Sequence, residues 1–74
     1  MKEKLLEIVN IIRDNKQLAR LENLNPKDDL RTDLGLDSLD LAEFTVRVES
    51  EFGVDVFSDG LVNSIDEVLF KLEK

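Results

Sequence analysis

The sequence predicts an all-α protein, a small bundle of three main helices plus a short third helix or turn, with a long loop between helices one and two. Three observations predict it. Apolar residues recur at helical spacing in three separate stretches, two of which open on a good capping residue. The one stretch that alternates like a strand has no second strand to pair with. With 74 residues, no cysteine and 42% hydrophobic side chains, the chain is expected to be one domain over 1–74. That is near the lower size at which an apolar core holds a fold without metal or disulfide.

In the first stretch, Leu5, Ile8, Val9 and Ile12 fall at i, i+3, i+4 and i+7, with Lys4, Glu7, Asn10 and Arg13 turned mostly outward. The helix should end between residues 13 and 17, where Asp14-Asn15-Lys16-Gln17 is polar; Leu18-Ala19-Arg20-Leu21 either extends it or starts a separate turn. The chain then runs to Asp37 through Asn23, Asn25-Pro26 and Asp28-Asp29, all turn formers. So long a connection is expected only if its own side chains pack it. Leu21, Leu24, Leu30, Leu34 and Leu36 are therefore placed inward, with one short helical turn among them.

Helix two should begin at Asp37 or Ser38, with the Asp37 carboxylate accepting from the amide of Asp40. At 100° per residue, Leu41, Phe44, Thr45, Val48 and Phe52 share one face, the core face. Leu39, Ala42, Glu43 and Val46 lie opposite and leave an apolar strip uncovered. Gly53 is a plausible left-handed cap. Val54-Asp55-Val56-Phe57 is assigned to loop, Ser58-Asp59-Gly60 to a turn, and Leu61-Val62-Asn63 to at most one turn of a short third helix. Ser64-Ile65-Asp66-Glu67 has the pattern of a capping box, and Ile65, Val68, Leu69 and Leu72 form the inward face of the last helix.

The start, Met1-Lys2-Glu3-Lys4, opens at once into an amphipathic pattern containing acids, which fits neither a signal peptide nor a membrane span. A cytoplasmic, monomeric protein without membrane insertion is expected. The net charge of −7 is unevenly spread. Residues 1–27 carry six basic against four acidic side chains, and residues 28–74 carry four against thirteen. Such a field repels nucleic acid and favours basic protein surfaces. No acidic run has the ligand spacing of a calcium loop, so no metal site is expected.

Asp33-Leu34-Gly35-Leu36-Asp37-Ser38-Leu39-Asp40 places one serine between two acids where a loop becomes a helix. The chain has no histidine and no cysteine, so no in-chain base activates Ser38 in the usual way and no thiol replaces it. An enzyme is therefore not expected. A serine so presented suits an attachment point better than a nucleophile, although a plain helix cap is the commoner use of such a residue.

The run Leu34-Gly35-Leu36-Asp37-Ser38-Leu39-Asp40, followed by Glu43 and by Glu49-Ser50-Glu51-Phe52-Gly53, resembles the acyl carrier protein family, and the resemblance extends along roughly the whole chain. It implies a 4′-phosphopantetheine arm, covalently bound to Ser38 and flanked by Asp37 and Leu39. The arm's thiol would hold acyl groups as thioesters. The implied partners are a phosphopantetheinyl transferase and acyl-activating and acyl-transferring enzymes with basic docking surfaces. Leu39, Asp40, Glu43, Val46 and Arg47 on the outer face of helix two would meet them, with Glu49 and Glu51 adding charge; Arg47 interrupts the acidic run. Leu41, Phe44, Val48, Ile65 and Leu69 are core residues that would touch cargo if the bundle encloses it. Phe57-Ser58-Asp59-Gly60-Leu61 departs from the more acidic third helix of fatty-acid carriers, and points to a specialised lipid, polysaccharide or polyketide pathway. A peptidyl or aminoacyl carrier and an unmodified acidic helical adaptor remain the alternatives.

Overall fold

A computed structural model describes residues 2–58, 60 and 62–73. Met1, Asp59 and Leu61, each part of an expectation above, lie outside the described residues. Three helices follow in order: α1 over Lys2–Asn15, α2 over Ser38–Phe52 and α3 over Ile65–Leu72. Among the described residues there is no strand, only an isolated antiparallel bridge between Asp29 and Ser64.

Helix α1 buries Leu5, Ile8, Val9 and Ile12 as its spacing requires. It stops at Asn15 in a Schellman turn: Gln17 takes a left-handed φ of 62°, its N–H donates to the Asp14 carbonyl at 3.0 Å, and the Leu18 N–H donates to the Arg13 carbonyl at 2.9 Å. Glycine normally fills that position, because a Cβ there is strained. Gln17→Gly is accordingly expected to stabilise the chain by about 0.5–1 kcal/mol. A urea midpoint unchanged or lowered by the substitution would contradict this.

Asn10 corrects the outward assignment. It is 3% exposed, its Nδ2 donates to the Leu21 carbonyl at 3.0 Å and its Oδ1 accepts from the Leu21 amide at 2.8 Å. Such a side chain is buried without penalty because it replaces the main-chain partner that the loop lacks. Arg13 is half-buried for a related reason. Its Nη1 donates to the Leu34 carbonyl at 2.6 Å and its Nε to the Ala19 carbonyl at 3.0 Å.

The connection between α1 and α2 lies folded over the helices. Leu24, Leu30, Leu34 and Leu36 are buried and Leu21 packs against the same cluster. The expected short turn occupies residues 30–34. Asp29 caps it by accepting from the amides of Arg31 and Thr32 at 2.8 and 2.9 Å, which holds its carboxyl below the ordinary range. A Cα radius of gyration of 11.0 Å matches the value of about 11 Å for a folded chain of this length, so the loop adds thickness to the core instead of extending from it.

Helix α2 turns Leu41, Phe44 and Val48 fully inward, with Thr45 and Phe52 half-buried. It ends at Gly53, whose φ is 72° and whose N–H donates to the Glu49 carbonyl. Residues 56–58 form a turn that buries Val56. Val62 and Asn63 are irregular, so of the short third helix or turn expected before the last helix, the described residues show the turn. The Asn63 carbonyl is committed to the Leu30 amide at 2.8 Å, which draws the segment into the bridge.

Helix α3 starts against the same loop. Its first amides, of Ile65 and Asp66, donate to the carbonyls of Asp28 and Pro26 at 3.1 and 2.9 Å. Ser64 accepts from the Glu67 amide at 3.4 Å, the expected half of the capping box. The other half differs, since the Glu67 carboxylate accepts from Asn63 at 2.8 Å while Ser64 is held extended by its bridge to Asp29. Ile65, Val68 and Leu72 close the core, with Leu69 packed at its edge.

Candidate functional site

Gly35 makes the approach to α2. Its φ is 76°, and a Cβ on it would meet Leu18 Cδ1 at 3.3 Å and Arg13 Nη1 at 3.6 Å. The left-handed φ favours glycine here, and a Cβ would also push the end of the Leu18 side chain back by a few tenths of an ångström. Two residues later Asp37 caps the helix, and Ser38 is its first helical residue, exposed.

The cap is reciprocal. The Asp37 Oδ1 accepts from the Asp40 amide at 3.0 Å, and the Asp40 Oδ2 accepts from the Asp37 amide at 3.0 Å. This is a capping box with aspartate in both places, where the usual pattern has Ser or Thr with Glu or Gln. The amides of Ser38 and Leu39 have no acceptor among the described residues and belong to the first turn of α2, the positive end of the helix dipole.

Two carboxylates so close would repel each other, and a cation from the turn that follows α1 offsets this. Lys16 Nζ lies 2.5 Å from Asp40 Oδ2 and 3.7 Å from Asp37 Oδ2, and donates to the Gly35 carbonyl at 2.8 Å. The Lys16 ammonium, helped by the Asp37 amide, holds the Asp40 carboxyl below its ordinary range. Asp40, then Asp37, hold the Lys16 ammonium above its own. Because the Asp40 value is depressed on folding, its contribution to stability is fully present above the ordinary 3.8 and is lost as pH falls through the lower folded value. Stability is expected to drop below about pH 4. In Asp40→Asn that drop should be shallower, with a remainder from Asp29; identical acid limbs in thermal melts would rule the pair out as a cause.

Beside Ser38 runs an open groove of about 560 Å³, lined by Arg31, Leu41, Ala42, Thr45, Phe57 and Gly60 as well as the serine. Its walls are mainly apolar. On the outer face, Leu39 and Val46 are 82% and 64% exposed, and Ala42 is exposed between them. The acids around this strip are less free than their number suggests. Asp40 is bound to Lys16, Glu43 accepts from Arg47 Nε at 2.7 Å, and Glu51 lies 3.5 Å from Lys4. Glu49 makes no ion pair among the described residues.

The structure thus brings Asp37, Ser38, Leu39 and Asp40 together, with Glu43, Val46 and Arg47 following along α2. Residue spacing did not point to Lys16, Arg13 or the groove residues Arg31, Thr45, Phe57 and Gly60 as part of the site. The signal for the first two was available in outline: Asn10, Arg13 and Lys16 repeat every three residues beside the apolar stripe of α1. Among the described residues no hydrogen bond joins the Ser38 hydroxyl to a base, and there is no group of three or more metal-ligating side chains. No described helix is long and apolar enough to cross a membrane.

Comparison with known proteins agrees with this arrangement. The family model for the phosphopantetheine attachment site matches residues 5–68. The chain is 39% identical over 62 residues to an acyl carrier protein of Coprothermobacter proteolyticus, covering 84% of this chain and 73% of that protein. It is 38% identical over 50 residues to an acyl carrier protein of Rickettsia bellii, covering 68% of this chain and 57% of the relative. The corresponding protein of a second Rickettsia bellii strain is 40% identical over 50 residues, 60% of its length. The chain therefore spans little more than half the length of the two Rickettsia relatives. No solved structure matches the chain.

Proposed function

This chain belongs to the acyl carrier protein family, and from that membership we propose that Ser38 bears the family's 4′-phosphopantetheine arm and that the protein carries acyl groups as thioesters between partner enzymes. One observation supports this above the others. Ser38 is the exposed first residue of α2, capped from outside by Asp37, so its hydroxyl is available to a modifying enzyme without the helix losing its start.

The residues present fit the group. A phosphodiester on Ser38 would lie near the unpaired first-turn amides of Ser38 and Leu39 and the positive helix end, the environment that favours an anion. The arm supplies the thiol that the chain lacks. This chain's own contribution is to present the hydroxyl, fix the helix start through Asp37 and Asp40, and offer the groove between α2 and the turn at Phe57. Ser38 needs no base of its own, because the transferase brings that chemistry.

In this reading residues 1–74 act as one carrier domain in the cytoplasm, with no catalysis of their own. The transferase and the acyl-activating and acyl-transferring enzymes dock on Leu39, Ala42 and Val46, with the acids around them setting the approach. Phe57 and Gly60 line the groove, where fatty-acid carriers are more acidic, which favours a specialised cargo from a lipid, polysaccharide or polyketide pathway. The direct test is incubation with coenzyme A and a broad-specificity phosphopantetheinyl transferase, followed by intact-protein mass spectrometry. One added arm is the expected result. No gain, under conditions that convert a known carrier, leaves an unmodified adaptor.

A further inference from the structure

The ammonium of Lys16 reaches both sides of Ser38, contacting the Gly35 carbonyl before it and the carboxylates of Asp37 and Asp40 on either flank. Its placement is fixed by main chain. Lys16 follows directly on the last residue of α1 and precedes the left-handed Gln17, and the neighbouring Arg13 is tied to the Leu34 carbonyl. Its side chain is 30% exposed and ends a flexible four-carbon stem, so it can leave without disturbing the helix that carries it. Asp37 is the looser member, 64% exposed at a separation of 3.7 Å.

We propose that Lys16 is an in-chain occupant of the acid pair around Ser38, which a basic partner surface displaces on docking. The residue thereby sets how tightly such partners bind. An arginine or lysine from a partner gains little from Asp37 and Asp40 until Lys16 swings away, since those carboxylates already face a cation at contact distance. The identity of the partner rests on the reading of Ser38 given above; the competition for the two acids does not.

The test compares wild type with Lys16→Met, Lys16→Arg and Lys27→Met. Lys27 makes no ion pair among the described residues, so its variant has the same net charge as Lys16→Met with the acid pair still occupied. In transferase kinetics at low salt, Lys16→Met should lower KM about fivefold, the worth of one contact-range charge in water, with kcat held within about twofold. Lys27→Met should change KM far less, and Lys16→Arg should keep the wild-type value. High salt should erase the difference. Equal KM in the two methionine variants, an arginine variant that follows Lys16→Met, or a raised KM from a loosened helix start would each overturn the proposal. If wild type accepts no arm, the carrier reading fails and a hexalysine peptide serves as probe. Tighter peptide binding by Lys16→Met than by Lys27→Met at low salt then supports the competition, and equal binding overturns it.

Discussion

Replacing Ser38 by alanine is expected to abolish addition of the phosphopantetheine arm while leaving the melting transition nearly in place. The two halves of this result come from one geometric fact. Serine at the start of a helix is usually its cap, and removing a capping serine costs about 1 kcal/mol. Here Asp37 is the cap and Asp40 its reciprocal partner, so Ser38 lies one residue inside, exposed, with its hydroxyl bonded to nothing among the described residues. The stability change should stay within about 0.5 kcal/mol, as for other surface sites. Intact-mass measurement should show one arm on wild type and none on S38A. An arm on S38A would move the attachment elsewhere, and a marked loss of stability would mean that the hydroxyl supports the helix start after all.

Truncating Phe44 should have the opposite profile. Its ring is fully buried and is the largest of the fully buried side chains, in the same core cluster as the apolar face of α1 and the leucines of the long loop. Phenylalanine-to-alanine changes at such positions cost about 3–5 kcal/mol through lost burial and the cavity left behind. A domain of this size holds about 4–11 kcal/mol in total, with no disulfide to limit the loss. Phe44→Ala is therefore expected to unfold the chain at moderate urea or leave it partly unfolded without denaturant. Val46→Ala, two residues away and 64% exposed, should stay within about 0.5 kcal/mol of wild type. Similar urea midpoints for the two variants would contradict the assignment of inner and outer faces on α2.

Much of this was legible in the sequence because it depends on neighbours along the chain. Leu5, Ile8, Val9 and Ile12 mark α1 by period alone, Asp37 and Gly53 bracket α2, and the loop leucines declare themselves by recurring where a solvated connection would be polar. The exposed strip of Leu39, Ala42 and Val46 follows from the same counting. Periodicity failed where the partner was distant. Asn10 counts as an outward polar residue until Leu21 is folded against it, and Lys16 counts as solvated until α2 brings Asp40 within reach. A local reading of Leu61-Val62-Asn63 allows at most one helical turn, and Val62 and Asn63 are irregular, with the Asn63 carbonyl bonded to the Leu30 amide. The acidic face was over-counted because charge was summed along the sequence, and three of its acids are paired within the chain.

Asn10, Arg13 and Lys16 have one further property in common: apart from the two carboxylates, every group they hold is a peptide group, of Ala19, Leu21, Leu34 or Gly35. Peptide groups are the same whatever residue carries them. The outward residues between these points can therefore be exchanged during evolution or engineering without unfastening the long loop from α1. Adding or deleting a residue between Leu21 and Leu34 would instead have to be absorbed within that stretch for Arg13 and Lys16 to keep the carbonyls of Leu34 and Gly35.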